Sequence, residues 1–228
     1  MNNSGYEVEV NGVTKNLTIN SAYCIGYTGR DSEKTMEHIK ELAEIGIPEP
    51  SEVPMLYPVR TSSLIQDKPI EVLGEKTSGE AEIVLIFGDS DEEIYVTIGS
   101  DHTDRSLEET DINKSKQVCD KPFARQAWEL KNVIDHWDSL ELSSEVLLDG
   151  EWKEYQNNKI SAILSFDDIQ AYLKKKEVRL TNSIFFSGTV PLLDGFKYGT
   201  EFRMVFKDPV TKDEIVSSYE IKNIERGN

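Results

Sequence analysis

The run Ile83-Val84-Leu85-Ile86-Phe87 restricts the fold of this chain more than any other segment. It is apolar, largely β-branched and unbroken, as in a buried strand. Glu80 and Glu82 stand directly before it, in Gly79-Glu80-Ala81-Glu82. Residues i and i+2 of a strand share a face, so both carboxylates project the same way, about 7 Å apart. Two like charges beside a core need a cation or a protonation shift. A second apolar strand, Ile94-Tyr95-Val96-Thr97-Ile98, leads into Gly99-Ser100-Asp101-His102-Thr103-Asp104-Arg105, which adds a third carboxylate. Three hard oxygen donors without a cysteine cluster match a magnesium or manganese site.

Composition narrows the function classes. The chain has 228 residues and a formal net charge of −17, with no basic stripe to offset it. That disfavours binding to a nucleic-acid backbone or to an anionic membrane surface. No apolar run reaches membrane-spanning length, and Met1 to Glu9 is polar, without a signal-peptide core. Cys24 and Cys119 are too few and too far apart for a disulfide framework, so a reducing cytoplasm is the expected setting. A hydrophobic fraction of 38% beside 29% charged residues fits a folded, soluble chain.

Along the chain, Tyr6 to Val10, the turn Asn11-Gly12 and Val13 to Ile19 predict a hairpin. Ala22 to Tyr27 reads as a strand, and Asp31 or Ser32 caps a helix through Ile45, stopped by Gly46. Pro48, Pro50, Pro54 and Pro58 then suggest a boundary, giving an N-terminal hairpin-plus-helix lobe over 1–60 and a second domain over 61–228. Strands dominate the second part: 70–73, 80–87, 93–99, 140–148, 151–156, 184–187, 201–206 and 215–224, with a short helix opened by Ser165. The reading is α+β, with more strand than helix.

The order of the polar residues resembles the fumarylacetoacetate hydrolase superfamily. Glu80-Ala81-Glu82 resembles its E-x-E strand, and Asp101-His102-Thr103-Asp104-Arg105 its D-x-S-A-R segment. Lys116 resembles the motif lysine, and Ser187-Gly188-Thr189-Val190-Pro191 its T-G-T-P with Val190 as an extra residue. The likeness spans roughly residues 22 to 224 and looks most like a bacterial branch known as a domain of unknown function. It implies a strand-rich mixed β-roll or sandwich with a few flanking helices. It also implies Mg²⁺ or Mn²⁺ held by Glu80, Glu82 and Asp101, a small anionic 2-oxo or 2,4-dioxo acid as substrate, and a homodimer.

The same resemblance implies roles. Lys116 would stand near a developing oxyanion. Arg105 would bind substrate or brace the metal ligands, while Ser187 and Thr189 would contact substrate. His38-Ile39-Lys40-Glu41 supplies a loose match to the family's H-x-x-E, so His38 oriented by Glu41 would activate water. Two positions depart from the family: Glu108 stands where it has glutamine, and Ser187 where it has threonine. Hydrolysis of a C–C bond is the first expectation. Decarboxylation, hydration or dehydration on the same scaffold, or a non-catalytic protein that kept the fold, are the alternatives. Cys119 with His102 as a nucleophile pair has no supporting motif.

Overall fold

A computed structural model of the chain describes residues 5–44, 49–90 and 92–226, apart from the side chains of His38, Leu42 and Arg226. In chain order the strands are β1 Gly5–Val10, β2 Val13–Thr18, β3 Ser21–Gly26, β4 Met55–Val59, β5 Leu64–Ile65, β6 Ile70–Val72, β7 Thr77–Ser78, β8 Ala81–Phe87 and β9 Ile94–Ser100. They continue as β10 Thr103–Asp104, β11 Lys121–Pro122, β12 Trp128–Glu129, β13 Glu141–Leu148, β14 Glu151–Lys159, β15 Ser183–Thr189, β16 Glu201–Asp208 and β17 Asp213–Asn223. The α-helices are α1 Ser32–Glu44, α2 Arg105–Glu108, α3 Ile112–Gln117 and α4 Phe166–Lys175.

Two larger sheets form the body. One has the order β12-β9-β8-β15-β3-β4, the other β14-β13-β16-β17-β6. Ile83, Leu85 and Phe87 of β8 pack with Leu142, Val146, Phe202 and Phe206 of the second sheet in one core cluster. Val84 and Ile86, one residue out of phase, belong to a second cluster with Val8, Val10 and Leu17 of the β1–β2 hairpin. Strand β8 is therefore covered on both faces, and every residue from Ala81 to Phe87 is buried. That is why its sequence shows no alternation.

Local signals agree with these elements. Asp149 and Gly150 take φ of +50° and +82° between β13 and β14, as a two-residue hairpin turn requires. Asp31 accepts the backbone N–H of Glu33 at 3.1 Å at the start of α1, and Ser165 accepts that of Asp168 at 3.2 Å at the start of α4. The expected helix stop at Gly46 lies outside the described residues. The expected boundary near residue 60 does not interrupt the hydrogen bonding. Strand β3 pairs in parallel with β15 and antiparallel with β4, so residues before 60 extend the same sheet as β8 and β9. The prolines punctuate a connection within one sheet.

Candidate active site

The site is built at one end of the β8–β9 pair. Glu82 lies opposite Gly99 in the ladder, and the Asp101 N–H donates to the Glu80 carbonyl at 3.1 Å. Glu80 and Asp101 thus stand side by side, with Glu82 two residues along the same face as Glu80. Serine 100 and His102 fall on the other face, where Tyr219 bonds both: Ser100 Oγ lies 2.8 Å and His102 Nδ1 2.9 Å from its hydroxyl. Burial, then Lys121 and Arg105, hold His102 well below its ordinary pKa, so it is a neutral core residue. Burial also pushes the Cys119 thiol up to about 11. Neither group is prepared for covalent chemistry.

Strand β15 supplies the opposite wall. Its register with β8 shifts between Phe186 and Thr189, and Gly188 sits there at φ +107°. A Cβ at that position would run into the Thr28 side chain, so glycine is required. The bulge turns the Gly188 N–H toward Glu82, which accepts it at 3.1 Å. The Ser187 hydroxyl donates to the Ile83 carbonyl at 2.8 Å, and the Thr189 hydroxyl to the Ala81 carbonyl at 2.7 Å. In this arrangement both hydroxyls brace the bulge rather than face a substrate. Gln156 locks it from behind. Its amide donates to the Thr189 hydroxyl and to the Val190 carbonyl, and its oxygen accepts the Ala81 N–H at 2.9 Å.

The carboxylates differ in their partners. Asp101 is 1% exposed, forms an ion pair with Lys116 and lies 3.5 Å from the Lys121 ammonium. Burial alone would raise its pKa, but Lys116 and Lys121 hold it at about 2. Glu80 is 3.3 Å from Arg105 Nη2. Glu82 makes no ion pair among the described residues. Burial pushes its pKa well above the ordinary carboxylate range, and the charges of Asp101 and Glu80 push the same way. Lys116 is held charged: burial opposes its charge most strongly, but Asp101, with Cys24, Glu108 and Glu80, together raises its pKa well above the ordinary value.

Arg105 is committed to neighbouring side chains. Its Nε donates to Ser78 Oγ at 2.7 Å, and its Nη1 donates to both Glu108 oxygens at 3.2 and 3.0 Å. The Phe196 ring covers its face, 4.2 Å from Cζ. Arg105 therefore braces Glu80. Helix α1 carries His38 and an exposed Glu41, but the His38 side chain lies outside the described residues, so their pairing is not among the observed contacts.

Two residues that the sequence did not flag complete the centre. The Lys121 ammonium is fully buried and donates to the carbonyls of Lys116, His102 at 2.8 Å and Cys119 at 3.0 Å. Only its place in Cys119-Asp120-Lys121-Pro122, a lysine beside buried apolar residues, could have marked it. Gln156 stands in the polar run Glu151–Lys159, and nothing there singles it out.

Among the described residues, no three His, Cys, Asp or Glu side chains are gathered closely enough to hold a metal ion. The strand register brings the three expected carboxylates to one face, but Lys116 and Arg105 engage two of them. In its chemistry the set fits a hard divalent cation. All donors are oxygens, and Glu82 is a buried carboxylate short of positive charge.

A family model described as a protein of unknown function (DUF2848) matches residues 25–219. The chain belongs to this family. No curated protein matches the sequence. Several solved structures share the fold at low identity. The crystal structure of Cg1458 with inhibitor has a TM-score of 0.67 at 14% identity, over 92% of this chain and 80% of that one. A candidate fumarylpyruvate hydrolase from Burkholderia cenocepacia has a TM-score of 0.64 at 14% identity, over 96% and 92%. A 2-keto-3-deoxy-D-arabinonate dehydratase complexed with magnesium and 2,5-dioxopentanoate gives 0.64 at 16%, over 92% and 76%. This DUF2848 chain has the fold of the fumarylacetoacetate hydrolase superfamily, as its motifs implied. The hydrolase and the dehydratase among these neighbours carry names of enzymes acting on oxo acids. Among the described residues of this chain, no helix is long and apolar enough to cross a membrane.

Proposed function

We propose that this chain is a divalent-metal-dependent enzyme acting on a 2-oxo or 2,4-dioxo acid, with C–C bond hydrolysis as its reaction. The observation that carries the reading is the buried Glu82–Asp101–Lys116 cluster at the end of β8–β9, where Glu82 is short of positive charge. Glu80, Glu82 and Asp101 would hold Mg²⁺ or Mn²⁺, which supplies Lewis acidity toward the oxygens of a 2-oxo acid. Lys116, charged and desolvated, stands where it can stabilise negative charge developing on a substrate oxygen. Lys121 keeps the Lys116 backbone in place through its carbonyl. Arg105 fixes Glu80 through its contacts with Ser78 and Glu108. Hydrolysis also needs a water-activating base, and His38 with Glu41 one turn later on α1 would supply it. The structures that share this fold include a candidate fumarylpyruvate hydrolase and a dehydratase, so hydrolysis, dehydration and decarboxylation belong in the same assay.

One observation favours a non-catalytic reading: Lys116 itself neutralises Asp101, and the carboxylates are not gathered around a common point. A screen of acylpyruvates, oxaloacetate and 2-keto-3-deoxy sugar acids with Mg²⁺, Mn²⁺ and EDTA separates the two. The enzyme reading expects turnover that EDTA removes, together with a rise in melting temperature on adding the metal. Turnover insensitive to EDTA would sink the metal mechanism. No turnover and no metal-dependent rise would leave the non-catalytic reading standing.

A further inference from the structure

Two buried cations of the centre lie against an aromatic face. Phe196 covers Arg105, and Tyr57 covers Lys116, with its ring centre 5.6 Å from the ammonium. The second contact is built from two sides. Tyr57 pairs with Cys24 in the β3–β4 ladder, Cys24 with Phe186, and Phe186 with Val84. Residues paired across a sheet share a face, so the Tyr57 ring stands on the face that carries Val84 and, two residues earlier, Glu82. Gly26 makes room for that ring: a Cβ there would come 2.8 Å from Tyr57 Cε2.

Helix α3 is pinned over β4 from the other side. Asn113 Nδ2 and Gln117 Nε2 both donate to the Pro58 carbonyl, at 3.0 and 2.8 Å, and the Gln117 oxygen accepts the Arg60 N–H at 3.2 Å. Lys116 follows Asn113 by three residues on this helix, so it is carried onto the neighbour of Pro58, which is Tyr57. The far end of the ring is fixed as well. Its hydroxyl bonds that of Tyr27, and Tyr27 holds a left-handed φ of +59°, a conformation that strains a bulky residue.

The ion pair with Asp101 takes one of the three N–H groups of the Lys116 ammonium. Lysine is a compact point charge on a flexible four-carbon stem, so one such contact sets its distance from Asp101 but not its direction. The ring supplies the second constraint. A cation is drawn to the face of an aromatic ring, most strongly where water is excluded, and Lys116 and Tyr57 are only 7% and 5% exposed.

We propose that Tyr57 is a positioning residue for Lys116: its ring aims the ammonium at the substrate oxygen, through the electrons of the ring face rather than through its hydroxyl or its bulk. This rests on the reading of Lys116 as the charge-stabilising group of a 2-oxo acid enzyme.

The test separates the ring's charge distribution from its size. Position 57 is filled with phenylalanine, 4-fluorophenylalanine and 3,4,5-trifluorophenylalanine, which withdraw ring electrons stepwise in nearly the same space, and with leucine in Y57L. Steady-state kinetics are measured with Mg²⁺ on the acid that the unaltered protein turns over fastest, beside the melting temperature of each variant. Y57F should keep kcat within about threefold. The trifluoro ring and Y57L should lower kcat by about tenfold or more, the loss of a desolvated cation–π contact, with the monofluoro ring between. KM should move by less than about threefold, because Lys116 acts on charge that develops during the reaction. Melting temperatures across the ring series should stay level. A kcat that is the same across the ring series overturns the proposal, as does a loss already complete in Y57F, which would place the effect in the hydroxyl. So does a fall in kcat matched by a fall in melting temperature, which marks a packing role. In these cases the 2-oxo acid reading stands. If Y57L does not fold, the ring series decides alone. If the unaltered protein turns over no acid, the underlying reading fails and takes this proposal with it.

Discussion

Glu7-Val8-Glu9 and Glu80-Ala81-Glu82 have the same spacing on strands of the same protein, yet they end in opposite environments. In β1 Val8 and Val10 face the core. Glu7 and Glu9 are exposed, and Glu7 pairs with Arg125 at 2.7 Å, half in water. At β8 both faces are covered, so the alternation that sends Glu7 to solvent sends Glu82 into the second apolar cluster's side of the sheet. A surface pair of the first kind contributes about 0.2–1 kcal/mol at most. A buried carboxylate of the second kind changes its pKa and needs a counter-charge. The spacing is common; the layer laid over the strand makes it chemical.

The largest effect that would sharpen this contrast concerns Lys121. Lys121→Met removes a buried charge near Asp101 and strips three carbonyls of their donor. A loss of about 3–5 kcal/mol in urea unfolding is expected. A loss under about 1 kcal/mol would mean that Lys121 contributes little to the centre.

Next comes Glu82→Gln against Glu7→Gln. If Glu82 is a ligand, E82Q should lower kcat/KM by about 10²–10³-fold or more, whereas E7Q leaves it unchanged. Equal effects would break the comparison. The same pair tests the pH dependence of the metal-free protein. A pKa raised above 4.5 means that folded Glu82 keeps a proton that the unfolded chain releases, so stability falls as pH rises above that value. Asp101, depressed from 3.8 to about 2, acts oppositely, and stability is lost as pH falls between those values. Urea midpoints from pH 4 to 8 should show the fall in the parent protein and in E7Q, and a flatter curve in E82Q.

A smaller effect belongs to the bulge. Ser187→Ala leaves the Ile83 carbonyl without its donor and should cost about 1–3 kcal/mol of stability. If Ser187 were instead a substrate contact, KM would rise with little change in the melting temperature. Smallest of all, E7Q should move stability by no more than about 1 kcal/mol, and less at high salt.

Much of the fold was legible because it depends on local patterns. The Asn11-Gly12 and Asp149-Gly150 turns, the caps at Asp31 and Ser165 and the apolar strands β8 and β9 each follow from neighbours in sequence. The boundary at residue 60 misled because prolines mark an interruption of local structure, while the pairing of β3 with β15 joins segments more than 150 residues apart. The site divides in the same way. Glu80, Glu82, Asp101 and Lys116 could be named from motif order. Lys121 and Gln156 could not, since their partners are mostly backbone groups supplied by other parts of the fold.

The sequence by itself determined that β8 is buried, that three carboxylates precede and follow the apolar pair of strands, and that the chain carries the motif order of its superfamily. Only the tertiary structure decided which charges meet. It set Lys116 on Asp101, Arg105 between Glu80 and Glu108, and Glu82 without an ion pair among the described residues. The reason is physical: a side chain's identity and face are fixed by its strand, but its dielectric surroundings and counter-charges come from segments brought together only when the sheets pack.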